Sequence, residues 1–147
     1  MAADVAKKPI DLNKVWAAWR TLTRRHSPMI VEGVGGLLVP LLPRFTVADL
    51  AEKLHLPLII VTRPALGTLN HTALTVEVAR SFGLRILGLV VNASTAAPKG
   101  LAERLNPAAL ELFTRVPVLA ELPYLGEDPA GALRHPGFDR ILYRLES

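Results

Sequence analysis

Met29-Ile30-Val31-Glu32-Gly33-Val34-Gly35-Gly36 is an apolar run that stops at one acid and continues in glycines. An acid at the carboxyl end of a buried parallel strand points into the crevice where open α/β sheets bind ligands, and glycines beside it let phosphates approach the backbone. The stretch therefore predicts a first strand from Pro28 to Glu32, with Glu32 marking a nucleotide or metal site. The loop that usually grips the phosphates at such a site is not in the sequence. No Gly-x-x-x-x-Gly-Lys-Ser/Thr occurs, and none of Lys7, Lys8, Lys14, Lys53 and Lys99 precedes a serine or threonine.

Working outward, Asp11 can cap a helix from Leu12 to Arg25 whose Val15, Trp16, Trp19 and Leu22 fall at helical spacing. Trp16 and Trp19 read as core anchors for it. Leu37 to Phe45 is a loop that either wraps a substrate or simply packs its leucines and prolines. Thr46-Val47-Ala48-Asp49 has the form of a capping box for a helix ending near His55. Leu58 to Thr62 is continuously apolar and β-branched, the mark of a strand buried on both faces. A turn from Pro64 to Gly67 leads into a helix from Thr68 to Phe82, which Gly83 can terminate. Arg85 to Asn92 is the next strand. Pro98 to Leu105 and Pro107 to Thr114 make one interrupted helix or two short ones, since Asn106-Pro107 breaks the pattern but suits a new start. Val116 to Glu121 is a shorter strand, and Phe138 to Leu145 a closing helix. Strands alternating with helices predict a parallel sheet in a single α/β domain spanning 1–147.

The 147 residues suffice for a real core, and half are hydrophobic. The runs Leu56 to Val61 and Ile86 to Val91 are too short to span a membrane, which takes roughly 20 residues. The amino terminus lacks the apolar core of a signal peptide, so the expected location is cytoplasmic. With no cysteine there is neither a disulfide nor a thiolate metal cluster. A formal charge of +4 raises the question of nucleic acid. The basic residues are scattered, however, with Arg20, Arg24 and Arg25 the largest cluster, and aromatic residues make up only 5%. A solvated helix face is the better reading, and nucleic acid is not expected as a partner. His26, His55 and His135 have no visible partners and are assigned no chemistry; His71 reads as a partly buried helix residue.

From about Pro9 to Tyr143 the chain resembles the carboxyl-terminal part of dethiobiotin synthase, a family of ATP-dependent enzymes of biotin synthesis within the P-loop superfamily. The resemblance rests on Val31-Glu32-Gly33-Val34-Gly35-Gly36, Leu66-Gly67-Thr68-Leu69-Asn70-His71 and Gly88-Leu89-Val90-Val91-Asn92, with Glu121-Leu122-Pro123-Tyr124-Leu125 a weaker fourth piece. Each is modest alone; their order and spacing make them specific. The fold it implies is a P-loop-NTPase-like parallel sheet flanked by helices, lacking the P-loop strand and helix. The implied reaction joins carbon dioxide to 7,8-diaminononanoate as a carbamate, phosphorylates it with ATP and closes the cyclic urea of dethiobiotin. Magnesium and a homodimer belong to the same implication. The P-loop and catalytic lysine would precede Met1, supplied upstream or by a separate amino-terminal half, so no catalytic residue is expected within this chain, which alone would not turn over.

By that resemblance Glu32 would contact magnesium, and Gly33, Val34 and Gly35 would offer N–H groups to phosphates. From the residues alone, a solvated acid beside a tight turn serves equally. Gly67, Thr68, Leu69 and Asn70 open a helix, where unpaired N–H groups and the dipole favour an anion. The resemblance makes them the place where one subunit receives the substrate carboxylate of the other; otherwise Thr68 is an ordinary cap. Asn92 would read adenine, and Pro123, Tyr124 and Leu125 would wall the base, unless they are only a surface turn. Where some members carry a further acid after this loop, the position here is Ala130, with Glu127 and Asp128 nearby. The alternative function is a noncatalytic P-loop-like module for dimerisation or regulation that uses the Gly67 to His71 helix face. Relatives in cobalamin-type amidation share the acid-and-glycine strand end, but they carry a glutaminase domain that nothing here resembles.

Overall fold

The computed structural model describes residues 6–96, 100–124, 126, 134 and 136–146. The chain divides into two compact units, Met1–Val47 and Ala48–Ser147. In the first, helix α1 covers Leu12–Thr23, and the Asp11 carboxylate accepts from the Asn13 N–H at 2.9 Å, the cap its sequence calls for. Trp16 and Trp19 are only half-buried, and no residue of α1 is fully buried, so they anchor the helix less than expected.

The expected strand from Pro28 to Glu32 does not form: these residues have no regular secondary structure. Ile30 is 88% exposed. An apolar β-branched run becomes a strand only when a neighbour completes its ladder, and none of the described residues pairs with it. The ladder that does form was not anticipated. Pro40–Leu42 (β1) pairs antiparallel with Phe45–Thr46 (β2) across the two-residue turn Pro43-Arg44. The Val47 N–H donates to Val39 O at 3.0 Å and carries the pairing one step further.

Helix α2, Val47–Leu54, starts where the capping box places it, with Asp49 in its first turn. It stops at His55, whose φ of 53° is left-handed. In the second unit Leu58–Thr62 (β3), Ile86–Asn92 (β4) and Val118–Leu122 (β5) form a parallel sheet in the order β3-β4-β5. Helix α3, Thr68–Ser81, connects the first two strands, and helix α4, Leu101–Thr114, connects the second and third. Helix α5, Gly137–Glu146, follows β5. Asn106-Pro107 does not divide α4, which runs through it as one helix.

Five consecutive residues of β4, Leu87 to Val91, are buried, as befits a central strand covered on both faces. Ile60, Leu89 and Val91 pack with Val76 of α3, Leu110 of α4 and Val116 into the core, supported by Leu69, Ile86 and Val118. The pairing of β4 with β5 shifts register between Leu89 and Val90, passing over Leu119. Leu119 lies across Gly88: a β-carbon there would come within 2.7 and 2.8 Å of its two methyls. Only glycine fits beneath it. Below the sheet, Arg80 Nη2 donates to Thr114 O at 2.6 Å, while the Val118 N–H donates to Glu111 Oε1 at 2.6 Å, fastening both ends of the α4–β5 connection.

Candidate functional site

Because the three strands of the second unit are parallel, their carboxyl ends share one edge. Thr62 pairs with Val91, and Asn92 with Leu122, so the ends are level. The Ala93 N–H donates to Leu122 O at 3.0 Å and extends the ladder past Asn92. This edge brings together the turn from Arg63 to Gly67, Asn92, and Pro123 with Tyr124. It is also where the topology of open parallel sheets leaves room for ligands.

The turn is built on polar contacts. Gly67 is the N-cap of α3 at φ 90° and ψ −8°, a left-handed conformation that costs glycine little, and no side chain caps the helix. The cap expected from Thr68 is therefore absent. Instead the buried Thr68 hydroxyl lies 2.6 Å from Thr62 Oγ1, which is 2.8 Å from Thr72 Oγ1. Thr68 and Thr72 are four residues apart on α3 and so share the face that meets the end of β3. Further along the turn, Asn106 Nδ2 of α4 donates to Pro64 O at 3.2 Å. Leu69 is half-buried, whereas Asn70 and His71 are exposed, His71 more so than expected.

Asn92 is exposed at the end of β4, where its amide can both donate and accept. Tyr124 is 46% exposed and presents an apolar ring with a polar tip beside the strand end. Leu125, Glu127, Asp128, Ala130 and His135 lie outside the described residues. In the first unit, Glu32 is exposed at the end of the extended run. Gly33 lies against Val47, where a β-carbon would meet Cγ1 at 3.0 Å, and Gly35 has φ 71°. The turn after Glu32 thus requires glycine at Gly35, as the sequence pattern suggests. Among the described residues no three His, Asp or Glu side chains gather as a metal cluster. The donor chemistry of one exposed carboxylate still suits magnesium, a hard cation that takes one or two carboxylates and leaves its other positions to phosphate and water.

A family model described as AAA domain matches residues 1–127. The chain belongs to this family. Proteins named ATP-dependent dethiobiotin synthetase BioD are its relatives. That of Bacillus velezensis is 41% identical over 134 residues, covering 91% of this chain and 57% of the relative. For Thermodesulfovibrio yellowstonii the figures are 37% identity, 95% and 62%, and for Anaeromyxobacter dehalogenans 46%, 84% and 55%. The chain spans about six-tenths of the length of the curated relatives it matches. The resemblance read from the Glu32, Gly67 and Asn92 segments agrees with these relatives. Among the described residues no helix is long and apolar enough to cross a membrane.

Three residues that bear on the edge escaped the sequence reading. Thr62, Thr72 and Asn106 make their contacts across separations of 6, 10 and 42 residues. A local motif has no access to such pairs. The one available signal was Asn106-Pro107, an asparagine placed where helix propensity disfavours it.

Proposed function

We propose that this chain is the carboxyl-terminal portion of an ATP-dependent dethiobiotin synthetase, a ligase that closes the cyclic urea of dethiobiotin from 7,8-diaminononanoate, carbon dioxide and ATP. The observation that carries the reading is the level carboxyl edge of the parallel sheet, where the Gly67 turn, Asn92 and Tyr124 lie at or just beyond the ends of adjacent strands, in a chain whose relatives bear that name. At Gly67, Thr68, Leu69 and Asn70 the positive end of α3 and the N–H groups other than that of Thr68, which donates to Ala65 O at 3.1 Å, would meet the substrate carboxylate, received across a homodimer. Asn92 would pair with the adenine edge, and Pro123, Tyr124 and Leu125 would close over the base.

In the first unit, Glu32 would offer magnesium a carboxylate, with Gly33, Val34 and Gly35 placing N–H groups near the phosphates. When bound, the cation would offset the charge that develops on the transferred phosphoryl group. The residues assigned here would hold and orient; none of them is assigned as a general base or a phosphate-gripping lysine. Catalysis of phosphoryl transfer depends on both positioning and charge stabilisation, so a P-loop and lysine from upstream sequence or a separate amino-terminal half complete the enzyme.

Reconstitution tests this. Co-expression with an amino-terminal half carrying a P-loop is expected to give magnesium-dependent ATP binding, and phosphate release with 7,8-diaminononanoate and bicarbonate. A reconstituted pair that shows neither leaves the noncatalytic dimerisation or regulatory module as the function.

A further inference from the structure

We infer that Thr72 and Asn106 are positioning residues that fix the turn from Arg63 to Gly67, and with it the presentation of the first backbone groups of α3. The inference rests on the reading of that turn as the carboxylate-receiving element. Arg63, Ala65, Leu66 and Gly67 are all exposed, so the turn has little apolar packing of its own. Beyond the Thr68 N–H donating to Ala65 O at 3.1 Å, it is held by side-chain contacts at three points: Thr62 just before its start, Pro64 within it and Thr68 just after its end.

The hydroxyls of this protein show how unusual the arrangement at Thr72 is. Thr21, Thr23, Thr75 and Thr114 each donate to the carbonyl four residues back in their own helix. Thr68 and Thr72 turn theirs instead toward Thr62 on the neighbouring strand. Thr72 is 2% exposed and so has no water to replace a lost partner. It is the innermost corner of a hydroxyl triangle, and another buried corner, Thr68, belongs to the first turn of α3.

Asn106 tells the same story from α4. It is 6% exposed, sits in the helix interior and precedes Pro107, a position where the α conformation is disfavoured. An apolar residue would pack there at less cost to the helix. What asparagine adds is a donor that reaches Pro64 O, a carbonyl that no strand or helix ladder serves. Two helices thus hold the same short turn, α3 through Thr68 and Thr72 to Thr62, and α4 through Asn106 to Pro64 O.

Hydrogen exchange of the chain and its variants tests the inference. Thr72→Val keeps the shape and removes the hydroxyl; Thr72→Ser keeps the hydroxyl. The amides of Thr68 and His71, which donate to Ala65 O and Gly67 O at 3.1 Å each, are expected to exchange about tenfold faster in Thr72→Val and Asn106→Ala, while residues 88–91 of β4 stay protected. Thr72→Ser is expected to restore protection, and Asn106→Asp, which lacks the donor, to resemble Asn106→Ala. Unchanged exchange at Thr68 and His71, or an equal rise in β4, overturns the inference. Should Thr72→Val or Asn106→Ala not fold, Thr72→Ser and Asn106→Asp carry the comparison alone. Titration of the pair reconstituted with the amino-terminal half, using 7,8-diaminononanoate, separates the two readings: weaker binding in the variants with ATP affinity unchanged supports both. If the parent binds ATP but no diamino acid, the carboxylate reading fails while the exchange result still decides the positioning role.

Discussion

Arg80 Nη2 lies 2.6 Å from the carbonyl oxygen of Thr114 and joins the last turn of α3 to the carboxyl end of α4. The same guanidinium holds Glu77 Oε1 at 2.7 Å through Nη1. The two contacts differ in kind. The first serves a terminal carbonyl with a cation at the negative end of a helix, and the second is an exposed pair one turn apart.

Arg80→Ala is therefore expected to lower unfolding free energy by about 1–2 kcal/mol. Glu77→Ala, which removes only the exposed pair, should stay within about 0.5 kcal/mol of the parent. Urea unfolding of both variants checks the ranking, and equal losses would contradict it.

Gly88→Ala places a methyl group into the side chain of Leu119. A loss of about 1–3 kcal/mol is expected, the usual cost of overpacking a filled core. Combined with Leu119→Ala, it should lose less than the sum of the two single losses, because the second change vacates the space the first requires. A double variant no better than the sum of the singles would show that the two sites do not couple.

Leu110 and Leu112 share α4, yet Leu110 is fully buried in the core and Leu112 exposed. Leu110→Ala should cost about 2–5 kcal/mol. Leu112→Ala should cost less than about 0.5 kcal/mol. Thermal unfolding distinguishes them directly.

Asn92 is exposed beyond the core, so Asn92→Ala should leave unfolding free energy within about 0.5 kcal/mol. On the proposed adenine contact, affinity for ATP in the reconstituted enzyme should fall about tenfold or more, the value of a bidentate base contact. Undiminished ATP affinity, measured by calorimetry, would remove Asn92 from the base site.

The parts of this molecule legible in its sequence are those whose cause is local. β3 and β4 announce themselves through unbroken apolar runs, α1 through Asp11, and the start of α2 through Thr46 and Asp49. Gly35, in a glycine-rich turn, and Gly67, closing the turn from Pro64, both adopt the left-handed backbone. Pairing is another matter. Pro28 to Glu32 has the composition of a strand, but composition supplies no ladder partner. The hairpin around Pro43-Arg44 lacks the Asn-Gly or Asp-Gly turn that would have revealed it. Thr72 and Asn106 look like ordinary helix residues until the fold brings them to Thr62 and Pro64. The Glu32, Gly67 and Asn92 segments were legible for a different reason, since their order matches a family rather than a periodicity.

Leu119 lying over Gly88 has a consequence for how the sheet assembles. Parallel strands find one another late and across long stretches of chain, and several alignments of β5 on β4 compete on apolar content alone. On its face of β4, Gly88 is flanked by Ile86 and Val90, so sliding β5 by two residues would set Leu119 against a bulky neighbour. The notch makes the correct alignment the roomy one, and the chain rejects its nearest mispairings by shape before any ligand is present to select among them.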